Sequence, residues 1–193
     1  MDITNSLYES HLIRLGPLDY EKDPPLVARW THDALFRTVL GAVARPLSTD
    51  AVRRQLEKVE KQMEEAKNLI HFTIRARVDN RLVGLARIFW IDFHTGTGVL
   101  NLGIGDASDR RRGYGSDALN LLLRFAFDEL NLHRLSAWPS ADNLPFIQRS
   151  IKPVSKKKAA GGKPLFMTAA TGMCFTWACC ARTGSRDHEH QFV

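Results

Sequence analysis

Between residues 99 and 130 a short apolar strand, a glycine-bearing turn and a long amphipathic helix follow one another, and this succession constrains the fold most. Val99-Leu100-Asn101-Leu102-Gly103-Ile104 reads as a buried strand. Asp109-Arg110-Arg111-Arg112-Gly113-Tyr114-Gly115-Ser116 then turns the chain. A helix is predicted over 116–130, with Leu119, Leu122, Leu123, Phe125, Ala126 and Leu130 on one broad apolar face. A strand feeding a helix through a tight turn belongs to a layered α/β arrangement. The first helical turn carries N–H groups without intrahelical partners, and with the helix dipole they favour a phosphate. The dipole contributes only about 0.3–1 kcal/mol, so convergent hydrogen bonds have to supply more. The turn is not a Walker loop, because no Gly-Lys-Ser/Thr follows, and it lacks the third glycine of the dinucleotide fingerprint.

The remaining elements place this unit in one domain. Residues 11–15 predict a strand closed by Gly16-Pro17, and 24–33 a helix behind Pro24 and Pro25. A loop covers 37–47, and Ser48 or Thr49 caps a charged helix over 50–67. Strands follow over 69–78, 81–91 and 99–104, with turns at Asp79-Asn80 and 92–98. After the long helix, 132–138 predicts another strand. The order describes an α+β fold, an α/β sandwich around a mixed sheet.

Charge separates the last quarter from the rest. Residues 1–143 hold 19 Lys/Arg and 19 Asp/Glu, whereas 144–193 hold 8 and 2, so the net +6 belongs to the tail. All three cysteines, Cys174, Cys179 and Cys180, also lie there without C-x-x-C spacing. Neither helical nor strand period is visible in 144–193, which is expected to be a poorly ordered basic tail behind a domain at 1–143. Nucleic acid is not an expected partner, since Lys156–Lys158 have no interleaved aromatics. No apolar stretch is long enough for a bilayer, and the opening MDITNSLYES lacks a basic start and apolar run, so a cytoplasmic location is expected.

The segment around the turn resembles the acyl-CoA-dependent N-acetyltransferase superfamily, the GNAT fold. The family's Arg/Gln-x-x-Gly-x-Gly/Ala pattern is present as Arg110-x-x-Gly113-x-Gly115, preceded by Leu102-Gly103-Ile104-Gly105. Leu130-Asn131-Leu132-His133-Arg134 and Ala141-Asp142-Asn143 also fit, most like the branch that acetylates ribosomal-protein N-termini and small amines. The resemblance implies acetyl-CoA as cosubstrate, no metal, and a primary amine of a peptide or small molecule as acceptor. Arg110, Arg111, Arg112, Gly113, Tyr114, Gly115 and Ser116 would hold the pyrophosphate. Leu102, Gly103 and Ile104 would pair with the pantetheine arm, and Asn143 would touch it. An N–H of Leu102 or Ile104 would polarise the thioester carbonyl, with Asn101 relaying a proton through water. A monomer or weak homodimer is expected.

Other candidates have plainer readings. His71 lies in a strand and His94 in a hairpin loop, each an alternative base or an ordinary structural residue. His133 is structural, and Trp30 and Trp90 are expected in the core. His188 and His190 alone make a poor metal site.

After Asn143 the family pattern calls for a helix, a Gly-Phe pair and two closing strands, and these are expected to be missing or altered. With each codon entered at its third base, residues 145–158 can encode VHSALHKAGFQKEG and 165–181 a run such as VHDGRYGDVLYMGLLR, which match the missing elements in order. A frameshift near 143–146 would account for the charge step, the cysteine cluster and the lost period together, and impaired activity is its expected consequence.

Overall fold

The computed structural model describes residues 7–34, 36, 45–137, 165–170 and 174–179, the last two as backbone strands. A seven-stranded mixed sheet runs through it. β1 is Ile13–Gly16, β2 Ile70–Ala76, β3 Leu82–Asp92, β4 Thr97–Ile104, β5 Arg134–Ala137, β6 Leu165–Ala170 and β7 Cys174–Cys179. Their order in space is β1-β2-β3-β4-β5-β7-β6. All neighbours are antiparallel except β4 and β5.

Among the described residues, three α-helices cover the two faces. α1, Asp23–Trp30, starts on two prolines, whose fixed φ suits a first turn. α2, Thr49–Ala66, is capped by Ser48, whose hydroxyl accepts from the Ala51 N–H at 3.3 Å. Val27, Trp30, Phe36, Val52, Leu56, Leu82 and Leu85 form the core on this side. α3, Tyr114–Arg124, packs on the opposite face, and its last turn widens into a π turn over Phe125–Glu129, the Leu130 N–H donating to the Phe125 carbonyl at 3.1 Å. Leu122, Ala118 and Ala126 are wholly buried there against Ile74, Ile88 and Leu100. A fully buried leucine contributes about 1.5–3 kcal/mol.

The α+β sandwich around a mixed sheet is as expected, and one detail differs. Trp90, expected in the core, is 63% exposed, because the register shifts between Phe89 and Asp92 and Trp90 takes a left-handed φ of 50°. Within the stretch that shows no period, β6 and β7 pair with each other, and β7 pairs with β5, so the sheet extends into the tail. The boundary at 143 lies outside the described residues. Among those described, no helix is long and apolar enough to cross a membrane.

Candidate functional site

β4 and β5 run together and then part. Thr97 pairs with Arg134, Gly98 with Leu135 and Val99 with Ser136. Ala137 still pairs with Phe175 of β7 but no longer with β4, while among the described residues β4 continues to Ile104 against β3 alone. The Gly105 N–H donates to the Val83 carbonyl at 3.0 Å. Strand alternation therefore turns the N–H groups of Asn101 and Gly103 toward β3, and those of Leu100, Leu102 and Ile104 toward the opening. The Ile104 carbonyl on that edge accepts from Arg110 Nε at 3.2 Å. Between Leu100 and Ile104 the edge can accept an extended ligand as an added strand.

The glycine turn stands at the far end of this opening. Arg111 and Gly113 both have left-handed φ, 64° and 92°, which winds 110–113 tightly enough to start α3 at Tyr114. The Asp117 N–H closes the first helical bond, onto the Gly113 carbonyl at 2.9 Å. The N–H groups of Tyr114, Gly115 and Ser116 precede that bond and are left for a ligand. A side chain on Gly113 would meet Leu12 at 3.0 Å, whereas Gly115 has ordinary room, 3.6 Å from Ile104.

Ion pairs and hydrogen bonds hold this turn in place. Asp109 is buried and takes both Arg81 nitrogens, at 2.5 and 2.7 Å. That pairing holds its carboxyl below the usual carboxylate range. Asp117 accepts from the Ser10 hydroxyl and from the Leu12 N–H, tying the N-terminal segment to α3. Arg110, expected at the pyrophosphate, points back instead. It donates to the Ile104 and Gly105 carbonyls and pairs with Asp33 at 2.9 Å. Arg111 and Arg112 are exposed beside the turn and supply its positive charge.

A polar row crosses the sheet toward the opening. His71 on β2 stands opposite Arg87 on β3, and Arg87 opposite Asn101 on β4. Asn101, at the next outward position after Val99, lies beyond the last described β4–β5 pair. His71 is buried, its Nδ1 has no hydrogen-bond partner, and burial pushes its pKa down to about 4, the nearby Arg87 charge adding to the effect. It is therefore neutral at pH 7. Leu102, Gly103 and Ile104 line the strand edge, and the Asn101 side chain lies on the sheet face opposite those of Leu102 and Ile104.

The other predicted residues fall elsewhere. His94 is exposed in the β3–β4 turn, its N–H donating to Asp92. His133 is exposed, and its ring lies against Gly96. Asn143, His188 and His190 lie outside the described residues. No three His, Cys, Asp or Glu among those described converge on a metal position. Arg87, Arg81 and Asp109 were not anticipated in these positions. Arg87 had one visible signal, a charge in the middle of the apolar run RLVGLARIFWI.

The family model of the acetyltransferase (GNAT) domain matches residues 13–148. No curated protein matches the chain. Among solved structures, a Vibrio cholerae protein assigned as a ribosomal-protein-serine acetyltransferase aligns with a TM-score of 0.65 at 19% identity, over 89% of this chain and 96% of that one. The microcin C7 self-immunity acetyltransferase MccE, solved with acetyl-CoA and AMP, aligns at 0.65 and 12%, over 88% and 93%. A spermidine N-acetyltransferase from Vibrio cholerae, solved with CoA and spermine, aligns at 0.56 and 17%, over 71% and 76%. At such identities the likeness is one of fold.

Proposed function

The chain belongs to the GNAT acetyltransferase family, and from that premise we propose that it moves an acetyl group from acetyl-CoA to a primary amine of a peptide N-terminus or small molecule. One observation carries the reading: the parted β4–β5 edge ends at a left-handed glycine turn that opens a helix. An anionic pyrophosphate fits the N–H groups at that turn, and the amide-bearing pantetheine arm fits the strand edge.

The chemistry asks little beyond positioning. The amine attacks the thioester carbonyl directly, an N–C bond forms, and the developing oxyanion takes an N–H from Leu102 or Ile104. The C–S bond then breaks and the thiolate leaves with the electron pair. The amine gives up a proton through a water held near Asn101. Asn143 would contact the pantetheine arm. The reaction takes place in the cytoplasm, with the chain a monomer or weak dimer.

Titration of the full chain with acetyl-CoA, followed by thiol release on adding amines, tests this. Binding with one thiol released per amine acetylated is the expected result, and no acetyl-CoA binding overturns it. A second reading, a CoA-binding protein with impaired turnover, is favoured by the charge step after residue 143 and would give binding without thiol release. It rests on a domain at 1–143 followed by a frameshifted tail, which the nucleotide sequence across codons 140–185 decides.

A further inference from the structure

Many arginines among the described residues are placed with carboxylate partners. Arg14, Arg29, Arg53, Arg75, Arg81 and Arg110 each pair with a carboxylate. The unpaired ones on the described surface, such as Arg111 and Arg112, are exposed to water. Arg87 is half-buried, yet no carboxylate pairs with it among the described residues, and its buried Nε has no hydrogen-bond partner. Its guanidinium lies 4.8 Å from the Phe89 ring centre, which steadies the plane but takes up no N–H fork.

Its neighbours point the same way. His71, directly across on β2, is buried with an unpartnered nitrogen, and Asn101, across on β4, stands at the mouth of the β4–β5 opening. Leaving a buried donor unsatisfied costs about 1–3 kcal/mol, more for a charged group. Two such groups side by side, Arg87 one strand and His71 two strands from the acyl position, are a cost to the fold that a bound ligand would offset.

We propose that Arg87 binds a carboxylate carried by the acceptor amine, with His71 and Asn101 flanking it, so that the acceptor class is an amino acid or peptide amine bearing an acid. This rests on the acetyltransferase reading for the position of the amine. The planar guanidinium fork suits a carboxylate geometrically. The same charge disfavours a polycationic amine, which sets this chain apart from an enzyme for polyamines.

Calorimetry on the full CoA-loaded chain tests it with two matched pairs: Asp-Ala-amide against Asn-Ala-amide, and β-alanine against β-alaninamide. The first pair represents a peptide acid and the second a small-molecule acid. In at least one pair the acid binds about ten-fold tighter or more, as a charge-assisted hydrogen bond provides. Arg87→Gln abolishes that preference and leaves acetyl-CoA affinity unchanged. Equal affinities within both pairs, or a preference that survives in Arg87→Gln, overturn the proposal. If acetyl-CoA itself does not bind, the acetyltransferase reading fails, and the same pairs titrated into the free chain still decide the subsite. A merely structural arginine is distinguished by Arg87→Met. Removing an unpaired, half-buried charge raises the ligand-free melting temperature by a few degrees, whereas a fall assigns Arg87 to the fold and overturns the proposal.

Discussion

Turned toward α3, the central strands present Ile70, Phe72, Ile74, Ala86, Ile88, Leu100, Leu102 and Ile104, all apolar and packed as one core. Turned toward α1 and α2, the same strands present His71, Thr73, Arg75, Arg87 and Asn101 among Leu85 and Val99. Among the described residues, the three buried polar atoms without partners, Trp30 Nε1, His71 Nδ1 and Arg87 Nε, belong to this second side. One sheet thus separates two duties. The α3 face holds the fold together, and the other face accepts a stability cost where chemistry is expected.

The largest effect should come from the first face. Leu122 is fully buried at its centre, and Leu122→Ala should destabilise by roughly 3–5 kcal/mol in chemical denaturation. Acetyl-CoA affinity of the folded fraction should hold, because Leu122 lies beneath the sheet and contributes no group to the turn or to the N–H row of the strand edge. A loss below about 1 kcal/mol would mean that α3 is not the main clamp on the sheet.

The second face should reveal itself through pH. His71 has a folded pKa of about 4 against an ordinary 6.5, so between those values the unfolded chain binds a proton that the folded chain refuses. Stability is full above pH 6.5 and falls as pH drops toward 4, by at most about 3 kcal/mol over the window. His71→Leu should flatten that slope and raise stability near pH 7, since it removes a buried nitrogen that has no partner. Denaturation midpoints of both proteins across pH 4–7.5 provide the check, and parallel curves would show that His71 takes up its proton in the fold.

What could be read beforehand follows the same division. The α3 face was legible because a broad apolar stripe at helical period announces itself in one dimension. The glycine turn was legible because left-handed φ demands particular residues, and Gly113 indeed takes it. The polar row was not, since only register brings His71, Arg87 and Asn101 abreast, and register is a property of pairs of strands. His71 and Asn101 stand out singly in the sequence, while Arg87 is one charge within the apolar run RLVGLARIFWI. Trp90 misled because alternation continues through a position where the strand bulges. β6 and β7 left no trace because Ala, Thr, Cys and Met do not divide a strand into a wet and a dry side. The pull of Arg110 toward the Ile104 and Gly105 carbonyls was invisible for a related reason, for a motif names a residue and not the direction of its side chain.

The smallest effects lie at the rim where α3 meets the site, and they separate two glycines that look alike in sequence. Gly113→Ala forces a side chain into a φ of 92° and against Leu12, and should destabilise by about 1–2 kcal/mol while distorting the turn. Acetyl-CoA affinity should fall with it. Gly115 already has helical backbone, and an added methyl would sit 3.6 Å from Ile104, an ordinary contact. Gly115→Ala should therefore hold stability or raise it by up to about 1 kcal/mol, through the lower entropy of the unfolded chain. Any loss of acetyl-CoA affinity in that variant then reports the ligand's own approach to the helix start, since the fold has absorbed the methyl at no cost. Equal destabilisation by the two substitutions would instead place both glycines on the α3 side of the division, serving the fold alone.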